Sequence, residues 1–214
     1  MFPVLATIGL LAAAAPLPAQ WRAEAWLGEA WNADSRVTFS QLNQPDISTD
    51  AVWSVRAHAP AWVYAGRIAK WSGGKAWALE FMHHKMYLEN PPPDVTFFQI
   101  TNGANFVLAE RLWSQNGWEF GVGVGPVFTV PGSRVRGVLY NNANGFFHSQ
   151  YELSGPGLQF NVARRLRLLP FTYGSLSLKA TAARLYVQIG DGHAVTTDYA
   201  LHLQYGVSLQ TRSR

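Results

Sequence analysis

Seven polar residues fall where they could meet inside a sheet: Arg67, Glu80, His84, Asn105, Lys179, His202 and Gln204. Glu80 and His84 are four apart, so on one strand they share a face about 13 Å from each other and each needs partners from other strands. A two-residue Gly73-Gly74 turn would set position 67 opposite position 80, which makes Arg67 the natural partner of Glu80. A charge withdrawn from water must be paired, so these residues read as a polar network that satisfies itself rather than as a catalytic set. A second group, His83, Lys85, His148, Ser149, Glu152, Asp191 and His193, falls near loops. A serine nucleophile needs a histidine within hydrogen-bond reach and an acid that orients it. His148 and Ser149 are adjacent, so on a strand they point to opposite faces. The histidines lack metal-ligand spacing, and no metal or cofactor is implied. Neither group selects a reaction.

The elements that must carry these residues are strands. From Trp77 to Trp113 the chain forms two alternating runs folded back across Glu89-Asn90-Pro91-Pro92-Pro93-Asp94, a stretch whose prolines cannot sit inside a ladder. Trp77, Leu79 and Phe81 share one face of the first run. Phe98, Ile100, Ala104, Phe106 and Leu108 share one face of the second, opposed by Gln99, Thr101, Gly103, Asn105 and Arg111. Comparable runs follow near 21–31, 62–71, 118–130, 155–166, 172–189 and 199–209, giving eight strands in all. The last is the clearest, with Leu201, Leu203, Tyr205 and Val207 set against His202, Gln204, Gly206 and Ser208. Tight connections (Gly73-Gly74, Asn116-Gly117, and a corner near Leu168–Phe171) alternate with longer ones, the longest being Asp34–Ala59, a polar segment without a clear period that reads as a mobile loop. Pro126 on the outward face predicts a bulge in its strand.

The polar faces are built from Gly, Ala, Asn, Gln and Ser, and charged residues make up only 14% of the chain. Such a lining suits a confined interior, which turns the bulky face outward to lipid; Trp62, Trp71, Trp77, Trp113, Trp118 and Tyr199 near strand ends suit interfacial girdles. On this reading Trp77, Leu79, Phe81, Phe106, Leu201 and Leu203 face lipid. Inward glycines Gly103, Gly121, Gly123 and Gly125 leave space for long side chains or for a ligand. Cysteine is absent, which removes disulfides and thiol chemistry, and the 17 basic residues form no stripe, which argues against nucleic acid. Residues 1–19 read as a signal peptide cut after Ala19, leaving 20–214 as one domain.

The pattern resembles the small eight-stranded outer-membrane β-barrels of Gram-negative bacteria. The strings HHKMYLENPPP and ITNGANF are similar to an uncharacterised family of that type. The resemblance implies an all-β, antiparallel, up-and-down transmembrane barrel in the cell outer membrane, in contact with membrane lipid and lipopolysaccharide. It implies no activity. A structural or loop-binding role is the expectation; the alternatives are a lipid A deacylase or acyltransferase, by analogy of fold alone, and a conduit for a small or apolar solute.

Overall fold

A computed structural model describes residues 20–57, 62–141 and 151–211. Residues 1–19, which the sequence suggests are a signal peptide, lie outside these, as do His58, His148 and Ser149. The strands are β1 (Gln20–Asn32), β2 (Ser35–Ser40), β3 (Ile47–Ala51), β4 (Trp53–Ser54), β5 (Val63–Ser72), β6 (Lys75–Leu88), β7 (Val95–Gln115), β8 (Trp118–Val135), β9 (Val138–Asn141), β10 (Glu152–Leu169), β11 (Thr172–Ile189) and β12 (Gly192–Gln210). Eight of them, β1, β5, β6, β7, β8, β10, β11 and β12, pair antiparallel in that order, and β1–β12 pairing from Arg22↔Gln210 to Asn32↔Ala200 closes the ring. A closed ring leaves no edge within its wall, the condition for a sheet to stand in lipid.

The short turns work as their residues require. Gly73 and Gly74 carry φ of 56° and 75°, and Asn116 and Gly117 carry 52° and 78°, the left-handed pairs that match the twist of a two-residue hairpin. Alternation then places unlike residues on the two sides of the wall. Ile68, Trp77, Leu79, Phe120, Phe160, Leu176, Leu203, Tyr205 and Val207 are exposed outside, while Arg67, Glu80, Lys179, His202 and Gln204 are buried inside. Aromatics mark both rims of this apolar band: Trp21, Trp77, Trp113 and Trp118 toward the short turns, and Trp31, Trp62, Tyr186 and Tyr199 toward the loops. Trp71 belongs to neither rim. It points inward under Arg22, whose guanidinium lies 4.2 Å from its ring centroid.

Toward the loop end the inner face changes character. Phe98, Ile100, Met82, Met86, Phe106, Leu108, Leu185, Val187 and Ile189 form an apolar core there, fully or almost fully buried. Phe106 therefore faces the interior and not lipid, a correction to the alternation read from the sequence. The alternation gave the bulkier face of β7 to lipid, whereas here that face packs inward as core. The ladder agrees, because Leu108 lies opposite Glu80 and Phe106 opposite Met82.

The segment after β1 is also not a free loop. β2 pairs with β12 and β3 with β2, and β4 pairs with β6 at Trp53↔Leu88. These short strands cover the loop end where β1 and β5 stop. Val37, Phe39, Ala51 and Trp53 are buried; Phe39 packs edge-on to Phe98 at 5.3 Å, and the Trp53 indole donates to Ser35 Oγ at 2.9 Å. The register shift near Pro126 lies on the facing strand, between Leu153 and Gly155, next to the Pro126↔Pro156 pair. Two prolines opposite one another remove donors from both strands, and the extra residue is taken up where Gly155 adopts φ 148°.

Candidate functional site in the barrel lumen

Inside the short-turn half, four carboxylates (Glu24, Glu80, Glu110, Glu119) meet four cations (Arg22, Arg67, Arg165, Lys179). The formal charges cancel, 4 − 4 = 0, as they must where water is largely excluded. Arg67 is at the centre. The register sets it between Glu24 on β1 and Glu80 on β6. It donates from Nε and Nη2 to Glu24 Oε2 at 2.7 Å each, and its Nη1 lies 3.4 Å from Glu110 and 3.8 Å from Glu80. The nearest partner of Glu80 is instead Lys179, with Nζ at 2.5 Å. The Gln159 amide donates to Glu80 at 3.1 Å and to Glu110 at 2.9 Å, bridging the two acids. Arg22 holds Glu119 bidentately at 2.6 and 3.0 Å, and Arg165 adds a bond at 3.2 Å. The Trp26 ring lies against both Arg67, at 4.8 Å, and Lys179, at 4.5 Å, giving two cations an aromatic face in place of water.

One tier toward the loops the network becomes weakly charged. Asn32 Nδ2 donates to Asp198 Oδ1 at 2.6 Å and lies 3.1 Å from His84 Nε2, which is 3.4 Å from the same carboxylate oxygen. His84 and His202 sit on strands that do not pair, yet their rings meet across the lumen at 5.0 Å, and His202 Nε2 lies 3.0 Å from Thr181 Oγ1. The Gln204 amide finds no hydrogen-bond partner among the described residues. Above this tier lies the apolar core. The glycines do not open a chamber: an added Cβ at Gly121 would meet Leu112 at 2.6 Å, at Gly123 the Glu110 side chain at 3.0 Å, and at Gly125 the Val107 carbonyl at 1.9 Å. Long neighbours already occupy the space.

Of the residues singled out in the sequence, Arg67, Glu80, His84, Lys179, His202 and Gln204 line the lumen, but Asn105 does not. It shares the outer face with His83, whose Nδ1 is 2.8 Å from Asn105 Oδ1, while its own amide nitrogen donates to the carbonyls of Gly103 and Phe128. The His83 ring stacks on Tyr64 at 4.9 Å and lies where a Cβ on Gly103 would be, which explains the glycine at φ 102°. Asn105 was placed inside because the bulky face of β7 was given to lipid; Phe98, Ile100, Ala104, Phe106 and Leu108 share the inner face instead, which turns Asn105 outward. The loop-end residues stay apart. Lys85 reaches the Arg56 carbonyl, Glu152 accepts from the Gln188 backbone, and His193 lies against Tyr186.

The lumen residues missed in the sequence are Arg22, Glu24, Asn32, Glu110, Glu119, Gln159, Arg165 and Asp198. Glu110 was legible: it has the parity of Phe106 and Leu108, and a carboxylate on a supposed lipid face is a warning that the face is inside. Chemically the site pairs charges. His202 has a hydroxyl at its Nε2 but no acid at Nδ1, so among the described residues no nucleophile–base–acid set is assembled.

No protein-family model matches the sequence, and no curated protein does. Among solved structures, the outer membrane protein AlkL, seen in lipid bilayers, aligns over 97% of this chain and 97% of its own at 14% identity, with a TM-score of 0.49. The outer membrane protein OprG of Pseudomonas aeruginosa covers 92% of this chain and 96% of its own at 10% identity and a TM-score of 0.43. Neisserial surface protein A covers 89% and 96% at 10% identity and 0.39. Scores this low add nothing to the assignment of the fold, which rests on ring closure, the apolar outer band between two aromatic rims, and the buried polar interior. The chain is a small eight-stranded transmembrane β-barrel of the outer-membrane type.

Proposed function

We propose that this barrel serves from its loop end, as a structural or ligand-binding surface of the outer membrane, and that it passes no solute through its lumen. One observation carries this reading: the interior is occupied in two stacked layers, a charge-balanced network below and an apolar core above. Glu80, Lys179, Phe98, Phe106 and Leu108 are all at most 1% exposed, so a hydrated ion meets buried ion pairs and then a dry plug.

The described residues of the loop end support a binding surface because they are tied to one another. Arg136, in the β8–β9 turn, donates to Gln41 Oε1 and to the Pro45 carbonyl at 2.5 Å each, and Gln41 donates to the Tyr140 hydroxyl at 2.9 Å. Two hairpins are thereby clasped across the mouth, with Arg36 and Arg134 exposed beside them. Lipopolysaccharide, an anionic neighbour for that end, belongs to the same proposal. The test is electrical. Folded protein inserted in planar bilayers should give no discrete openings, and liposomes carrying it should not swell faster in small sugars than empty ones. A stable ohmic conductance would replace this reading with the conduit.

A further inference from the structure

The outer wall near the short turns combines three observations. Each of three rim tryptophans is covered by a cation from the neighbouring strand: Lys70 over Trp21 at 5.8 Å, Arg111 over Trp77 at 5.0 Å and Arg164 over Trp118 at 5.3 Å. Lys75 and Arg167 are exposed at the same end. The carboxylates of that half, Glu24, Glu80, Glu110 and Glu119, all point into the lumen, so among the described residues none faces this rim. The loop end differs in carrying exposed acids beside some of its cations: Arg56 with Glu89 at 2.9 Å and Arg36 with Asp50 at 3.5 Å. The barrel therefore neutralises its interior and leaves one outer rim purely basic.

The third observation is a groove on the same wall. It holds about 820 Å³, is lined by Leu27, Leu166, Leu176, Tyr205 and Val207, and has Arg164 among its lining residues. Gly174 gives the outer wall no side-chain bulk there, where a Cβ would press on Leu168. Indoles settle at headgroup depth, and a basic side chain beside an indole lies at the level of lipid phosphate. A zwitterionic phospholipid brings its own ammonium, for which an all-basic rim has no counter-charge. A phosphate diester without an ammonium matches the rim, and its acyl chain matches the groove.

We propose that the short-turn rim binds anionic phospholipid at three places round the ring, with one headgroup phosphate at each of Lys70, Arg111 and Arg164 and an acyl chain of the lipid at Arg164 in the groove beside it. This rests on the membrane-spanning reading of the barrel. No covalent step is involved.

The test uses the full folded chain in vesicles of equal parts phosphatidylglycerol and phosphatidylcholine, with bromine on the chains of one lipid or the other. Quenching of tryptophan by the brominated lipid reports which lipid surrounds the rim. Brominated phosphatidylglycerol should quench as if locally enriched about fivefold, the effect of roughly one surface cation's worth of attraction. Raising salt from about 0.05 to about 0.5 M should cut that preference, because the interaction is screened. The triple variant Lys70→Gln, Arg111→Gln, Arg164→Gln should lose it, and the variant Arg111→Lys, Arg164→Lys should keep it if the attraction is to charge. Replacing phosphatidylglycerol with lipid A separates the two sources of phosphate: the rim should prefer the phospholipid. Equal quenching from both lipids by inserted wild-type protein overturns the proposal. A preference for lipid A overturns the phospholipid assignment. Failure to insert in any vesicle overturns it together with the membrane reading.

Discussion

Removing Glu80 tests how the lumen network divides its energy. The register alone puts Glu80 opposite Arg67, and the sequence suggested that the two form the coupled pair. The distances say otherwise, with Lys179 at 2.5 Å from Glu80 and Arg67 at 3.8 Å. Coulomb attraction falls as the inverse of distance, so the lysine contact is about 1.5 times the stronger before hydrogen bonding is counted. Glu80→Gln leaves Lys179 buried without its nearest carboxylate, while Arg67 keeps Glu24 at 2.7 Å. Stranding a buried charge costs about 3–5 kcal/mol, and Lys179→Met should cost a similar amount by stranding Glu80. The double variant removes one charge of each sign and leaves three against three, so it should regain at least about 2 kcal/mol of the summed loss. Arg67→Met should be the most damaging single change, because it uncovers four acids. Combined with Glu80→Gln it should recover little, since Glu24, Glu110 and Glu119 remain. The assay is denaturant unfolding in detergent micelles, read from the gel-mobility shift of folded barrel and from tryptophan emission. Strong coupling of Glu80 to Arg67 with none to Lys179 would refute the geometry.

Three further outcomes follow from packing. Leu203→Arg should cost roughly 2–4 kcal/mol if the residue lies near the bilayer midplane, and refolding titration into vesicles measures it. Phe98→Ala removes the ring against which both Phe39 and Trp53 pack, and should cost about 3–5 kcal/mol and admit protease to the β2–β3 hairpin, which in the wild type should be cut only at its exposed turn near 41–46. Gly125→Ala should prevent folding at a permissive temperature for Gly137→Ala, because the first Cβ would lie 1.9 Å from a backbone carbonyl and the second meets no atom within 4 Å, leaving only the strain of φ 79°.

Most of the wall was legible in the sequence, for a physical reason. Where lipid lies on one side and charge on the other, the chain must alternate strictly, as β12 does from Tyr199 to Leu209, and the Gly73-Gly74 turn fixes register without help from anything distant. The loop end was not legible. There the solvent outside becomes water, the interior becomes an ordinary apolar core, and the meaning of the pattern inverts partway along β6, β7 and β11. Asp34–Ala59 looked formless because β2, β3 and β4 are short and bury single residues, Phe39 and Trp53 among them. Asn105 was misplaced together with Phe106, because the bulky face of β7 packs inward as core and the opposite face, Asn105 included, turns outward. The network itself was half visible. Residues such as Glu24, Arg22 and Asp198 join it only through ring closure and contacts across the lumen, which no local pattern records.

The central claim is that the wall separates lipid from a filled interior, and residues 201–208 test it directly. The chain has no cysteine, so single cysteines carrying a spin label can be placed there one at a time in vesicle-embedded protein. Labels at Leu201, Leu203, Tyr205 and Val207 should be relaxed by oxygen, which concentrates in lipid, and labels at His202 and Gln204 should be shielded both from oxygen and from a water-soluble nickel chelate. Access of the chelate to 202 and 204 would mean an open aqueous pore. Access of the chelate to 201 and 203 would mean that the apolar band does not face lipid at all.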